Sequence, residues 1–141
     1  GSIPEYDLTN VRAVRGVNAK YTLEIGVYTR TDGRQPSESD LREIRRAAEQ
    51  AAIALRREGE EAFYYHGPTT SSVTVGVFAA SEYEIPTRER ATVVNAIPRP
   101  GPRVLMLREK YPQLLINGAG GIAGRRGSGA KLTESRLVEI P

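Results

Sequence analysis

Two segments of this chain alternate apolar and polar side chains with a period of two: YTLEIGVY at 21–28 and SVTVGVF at 72–78. Such alternation marks a strand with one buried face. In the first segment Tyr21, Leu23, Ile25 and Val27 share one side, and Thr22, Glu24, Gly26 and Tyr28 the other. In the second, Val73, Val75 and Val77 oppose Ser72, Thr74, Gly76 and Phe78. Two half-buried strands need an apolar cover, and the stretch between them supplies one. Leu41, Ile44, Ala48, Ala51 and Leu55 recur at steps of three and four, while Arg42, Arg45, Arg46, Glu49, Arg56 and Arg57 fill the opposite side. That spacing predicts an amphipathic helix. Its alanines allow the helix axis to lie close to a sheet. Ser37 with Asp40 forms the pattern of a capping box, after Asp32, Gly33 and Pro36 as loop punctuation, and Gly59 predicts the helix end.

The remaining chain completes the frame. AFYYH at 62–66 is strand material ended by Gly67 and Pro68, and it pairs with the second alternating segment as a hairpin across GPTTS. Residues 1–19, with Val11, Val14 and Val17 interleaved with Arg12 and Arg15, are expected as an N-terminal arm or an extra strand. A long proline-containing connection occupies about 79–102, with room for one turn of helix around Arg88 to Val93. RVLMLREKY then predicts a short helix stopped by Pro112, QLLIN a short fourth strand, and LVEI a possible terminal strand after a glycine-rich stretch. The order β, α, β, β, α, β predicts an α+β fold: a ferredoxin-like or RNP-like βαββαβ sandwich, with a four-stranded antiparallel sheet and both helices on one face. On this reading the domain spans 20–118, and 119–141 is a glycine-rich C-terminal extension.

Composition narrows the chemistry. The 141 residues suit one domain with a real core, and no apolar run reaches the ~18 residues of a membrane-spanning helix. Without cysteine there is no disulfide framework, thiol catalysis or thiolate metal site. One histidine, His66, cannot assemble the usual zinc or His-based hydrolase constellations, and it is expected as a surface residue flanking the turn. The net charge of +3 is too mild to demand a polyanionic partner. Carboxylates are abundant but none is arranged as a glycosidase pair. No catalytic residue, cofactor or metal is therefore assigned.

The segments YTLEIGVY, then Ala48, Ala51 and Leu55 along the helix, then GEEAFYY and VTVGVF, carry a family likeness. In order and spacing the chain resembles the SPOR domain, a small βαββαβ module of bacterial envelope and division proteins that binds peptidoglycan glycan strands lacking stem peptides. It departs from the family pattern at Glu24, where Gln is usual, at Val77, where Pro is usual, and in the insertion at 79–102. A carboxylate only accepts hydrogen bonds, whereas an amide both donates and accepts. The resemblance implies a non-catalytic binding module of the cell envelope or periplasm whose open sheet face holds the glycan.

Candidate ligand-binding residues on that face are Thr22, Glu24 and Tyr28 from the first strand, and Thr74 and Phe78 from the third. Phe63 and Tyr65 join them if Ala62 turns to the helix. Glycines at 26 and 76 either clear a groove bordered by Tyr28 and Phe78 or mark bulges. The alternatives are a structural or protein-interaction domain on the same fold and, less favoured, an RNP-like nucleic-acid binder, for which no dense basic stripe is present. Gly118, Gly120 and Ala123 fit a loose G-x-G-x-x-A dinucleotide pattern, but no following helix or acidic strand completes it. Arg125 and Arg126 fall within the same glycine-rich stretch, which is expected to be a loop.

Overall fold

The computed structural model describes residues 3–83, 100–118 and 133–141. The candidate turn of helix within 84–99, and Gly120, Ala123, Arg125 and Arg126, lie outside the described residues. The fold is α+β, with a mixed five-stranded sheet and three α-helices among the described residues. The elements are α1 (Val11–Arg15), β1 (Tyr21–Tyr28), α2 (Glu38–Arg57), β2 (Ala62–His66), β3 (Ser71–Phe78), α3 (Pro102–Lys110), β4 (Leu115–Ile116) and β5 (Arg136–Glu139).

Local chemistry sets the ends of α2. Ser37 Oγ accepts from the Asp40 amide at 3.1 Å, and the Asp40 carboxylate accepts from the Ser37 amide at 2.9 Å, closing the capping box. Glu38 and Asp40 then face the positive end of the helix dipole and Arg56 and Arg57 the negative end. Gly59, at φ +94°, takes the left-handed conformation that stops the helix. Ile44, Ala48 and Ala52 are buried against β1, β2 and β3, and the absence of longer side chains at the two alanines brings helix and sheet together.

The sheet runs β2-β3-β1, all antiparallel, and the free edge of β1 is then shared by two strands. β5 pairs antiparallel along Tyr21 to Glu24, while β4 pairs parallel at Gly26 and Val27. The expected four-stranded antiparallel sheet is thus replaced by a five-stranded mixed one. QLLIN contributes only a two-residue strand because Asn117 and Gly118 both adopt positive φ and turn the chain away. Asn117 also closes the end of β1, its amide donating to the Val27 carbonyl and its side chain accepting from the Thr29 amide, each at 2.8 Å.

The alternation in β1 and β3 is broken twice. Between the pairs Tyr21↔Phe78 and Leu23↔Val75, β3 carries one extra residue. Gly76 sits there at φ +77°, and the Thr22 hydroxyl donates to its carbonyl at 2.7 Å. This bulge reverses everything after it. Val77, expected beside Val73 and Val75, instead joins Leu8, Val11, Phe63 and Ile140 on the face away from α2. Phe78, expected on that open face, is buried beneath the helices with Tyr21 and Val104. A second irregularity lies between Glu24↔Thr74 and Gly26↔Val73, with the extra residue on β1. It turns Tyr28 to the α2 side, where it packs on the same core.

The N-terminal arm forms 3₁₀ turns at Pro4–Tyr6 and Leu8–Asn10 before α1. It straddles the outer edge of β2: Asp7 bridges to Tyr64, Tyr6 packs on the helix side, and Leu8 and Val11 are buried on the opposite face. An otherwise unpaired sheet edge is covered in this way.

A Cβ at position 76 would lie 2.7 Å from both Leu107 Cδ1 and Phe78 Cζ, besides forcing alanine to positive φ. Gly76→Ala is therefore expected to lower unfolding free energy by about 2–3 kcal/mol. Gly33→Ala, at φ +78° with nothing within 4 Å of its Cβ, should cost only about 1 kcal/mol. Urea denaturation of the two variants measures the difference.

Candidate functional site

Of the seven residues expected on one groove, the sheet brings three together around a cavity. On the face away from α2, β1 contributes Glu24, β2 contributes Tyr65, and β3 contributes Ser72 and Thr74; with Thr70 of the hairpin turn they line a cavity of 340 Å³. Leu8 of the arm borders it, and Val138, Glu139 and Pro141 form its C-terminal border. Thr22 and Phe63 belong to the same face but are sealed. Thr22 is fully buried with its hydroxyl committed to the bulge, and Phe63 lies in the cluster made by Leu8 and Val11. Tyr28 and Phe78 are excluded by the two bulges described above. The expected open groove is therefore a bounded cavity.

Its floor is polar. Glu24 is 8% exposed and pairs across the strands with Thr74 on one side and Arg136 on the other. The Arg136 Nε–H donates to Glu24 Oε1 at 2.9 Å, an ion pair whose arginine reaches into solvent. Thr74 is buried, and its Oγ1 has no hydrogen-bond partner among the described residues. Ser72, Thr70 and Tyr65 lie alongside, the Glu139 carboxylate stands at the border, and the aromatic ring offers a face on which a sugar ring can stack.

Sequence reading missed the border residues and the partner of Glu24. Arg136 and Val138 follow Glu24 and Thr22 in register on β5, so period-two alternation in RLVE would have placed both on this face once its pairing with β1 was known. Leu8 carried no strand signal at all. Its burial depends on the arm crossing the edge of β2.

Tyr28 lines a separate cavity of 250 Å³ on the helix side, with Arg30, Asp40, Ile44 and Asn117. Burial raises its phenol pKa above the ordinary value. Arg30 anchors this region: Nη1 donates to Asp40 Oδ2 at 2.7 Å, Nε donates to Asp32 Oδ1 at 3.0 Å, and Nη2 also meets Asp32. The guanidinium holds the Asp32 carboxyl down to about 2. Asp40 is lowered too, first by the Ser37 amide and then by Arg30.

His66, expected as a surface residue, is a half-buried clamp. Its Nε2 lies 2.8 Å from Glu49 Oε2 on α2, and its Nδ1 lies 2.7 Å from Ser71 Oγ on β3. The sequence acid, imidazole, hydroxyl has the order of a nucleophilic triad, but Ser71 is 1% exposed and out of reach of a substrate. Its role visible here is to tie the hairpin to the helix. Among the described residues no cluster of carboxylates and histidine is arranged to hold a metal ion, and no helix is long and apolar enough to cross a membrane.

Comparison of the chain with family models, with curated proteins and with solved structures gives no match.

A depressed carboxyl pKa stabilises the fold above its unfolded value near ~3.9 and loses that contribution as pH falls through the folded value. Asp32→Asn should therefore flatten the acid limb of the stability curve between the ordinary carboxyl value and about 2. Thermal denaturation midpoints measured against pH test this, with the wild type falling more steeply.

Proposed function

We propose that this protein is a non-catalytic, SPOR-like binding module that takes a segment of a peptidoglycan glycan strand, or of another cell-wall saccharide, in the cavity over Glu24 and Thr74. The carrying observation is that cavity, lined by Thr70, Ser72 and Thr74 together with the carboxylates of Glu24 and Glu139, and bordered by one half-buried tyrosine. Its 340 Å³ falls at the lower end of the range of about 300–1,000 Å³ typical of small-molecule sites. It suits one or two sugar rings, roughly, rather than a long strand laid across an open face.

The topology supports the same reading in a modified form. If β5, not β4, is taken as the fourth strand of the βαββαβ frame, the order β2-β3-β1-β5 is antiparallel throughout, as in a ferredoxin-like sheet. The parallel β4 is then an addition that fills the rest of the β1 edge. On this reading the chain acts in a bacterial cell envelope.

One observation favours the protein-interaction alternative. Val14 and Val17 of the arm region are 82% and 81% exposed, so a partner chain would gain apolar contact there. The nucleic-acid alternative has less support, because base stacking needs exposed rings and both Phe63 and Phe78 are buried.

Co-sedimentation with isolated peptidoglycan sacculi decides between these. Wild type is expected to be retained, a Tyr65→Ala, Ser72→Ala double variant to lose about tenfold or more in affinity, and Tyr28→Ala to bind like wild type. No retention of wild type, with capture instead dependent on Val14 and Val17, would favour the protein-interaction reading.

A further inference from the structure

The 250 Å³ cavity around Tyr28 lies on the helix side of the sheet, where the end of β1 meets the first half of α2 and Asn117 after β4. It shares no lining residue with the cavity over Glu24, and the sheet separates the two. Its walls combine an aromatic ring, Tyr28, with aliphatic groups, Ile44 and Ala47, one turn apart on α2. Its charge is one-sided. Arg30 is the lining cation, Asp40 and Glu43 are lining carboxylates, and Arg30 also holds Asp32, so one positive charge answers three negative ones. Both partners of Arg30 stay ionised at neutral pH, because hydrogen bonds hold their carboxyls below the ordinary value. Glu43 differs from them. It is exposed and makes no ion pair or hydrogen bond among the described residues. With Arg30 committed to the two aspartates, Glu43 is the carboxylate left for a cation from outside.

We propose that this cavity takes the alkylammonium side chain of a lysine presented by a partner polypeptide. The site is distinct from the saccharide cavity and does not depend on it. A lysine side chain is an apolar stem that ends in a compact charge, and it buries the stem while keeping the charge paired or wet. Tyr28, Ile44 and Ala47 match the stem, and Glu43 matches the head. An ammonium within about 6 Å of an aromatic ring also gains from the ring's quadrupole. A metal ion fits poorly. It needs several oxygen or nitrogen ligands, and among the described residues no cluster of carboxylates and histidine is arranged to supply them.

Asn117 favours a polypeptide over a free diamine. Its backbone is fixed at φ 53° by the amide bond to the Val27 carbonyl, and its Oδ1 already accepts from the Thr29 amide at 2.8 Å. What remains is the side-chain NH2, a donor without a partner among the described residues. A lysine within a chain brings backbone carbonyls that can accept from it, whereas a diamine carries no such acceptor. The groups that would meet the ligand are thus held before it arrives, which lowers the ordering cost of binding.

The test is an NMR titration of the full chain at low salt with a capped glycine-lysine-glycine tripeptide. The Tyr28 ring and the Asn117 side-chain amide are expected to shift and saturate. The same tripeptide acetylated on the lysine Nζ keeps the stem and loses the charge, and it should bind about fivefold or more weakly. Glu43→Gln, an exposed change outside the core, should weaken the lysine probe by a similar factor and leave the acetylated one unaffected. Cadaverine, which offers the ammonium without a backbone, should bind more weakly than the tripeptide. Absence of saturable shifts at Tyr28, equal affinity for the charged and acetylated probes, or an unchanged affinity in Glu43→Gln overturns the ammonium site. Tighter binding of cadaverine than of the tripeptide overturns the polypeptide partner. None of these results bears on the saccharide cavity, whose own probe, a neutral oligosaccharide, carries no ammonium.

Discussion

The geometry of this protein depends on one glycine. Gly76 holds a positive φ that leaves room for the Phe78 ring and a Leu107 methyl where a Cβ would stand. The Thr22 hydroxyl is bonded to its carbonyl, so the bulge is supported from the neighbouring strand. A residue inserted into a strand reverses every side chain beyond it. Here that reversal puts the largest fully buried side chain, Phe78, under the helices and sends Val77 to the opposite face, where the arm and Ile140 cover it. The helix-side core and the placement of the cavity follow from the same event.

The second irregularity, near Gly26, does for β1 what Gly76 does for β3. Between the two, Glu24 and Thr74 remain in register across the sheet, and only this short window keeps the polar face that simple alternation extends over both strands. The arm then closes one part of that face and β5 another. What remains is a small, partly open cavity, with its chemistry set by two carboxylates, a tyrosine and several hydroxyls. The arm and β5 thus act as walls of the site, with structural roles that their composition does not announce.

Local rules were legible in the residues, and non-local ones were not. The capping box at Ser37 and Asp40, the stop at Gly59 and the hairpin after His66 each depend on a few neighbouring residues, and each is found where spacing places it. So are the faces of Thr22, Glu24, Phe63, Tyr65 and Thr74, because they precede the bulges or lie on an unbroken strand. Tyr28 and Phe78 were misplaced because alternation assumes an uninterrupted ladder. Gly26 and Gly76 were the available signal, since glycine within a strand often marks a bulge, but glycine alone does not say which strand gains the extra residue. The assignment of β5 to the β1 edge depended on two short strands dividing that edge, β5 along Tyr21 to Glu24 and β4 at Gly26 and Val27, which only tertiary structure shows.

The most direct measurement is ring-resolved NMR during titration with a neutral N-acetylglucosamine oligosaccharide. If the bulges place the site as described, the Tyr65 ring resonances shift together with the Glu24, Ser72 and Thr74 amides, and the rings of Tyr28 and Phe78 stay still. Shifts centred on Tyr28 and Phe78, with Tyr65 unmoved, would contradict the account.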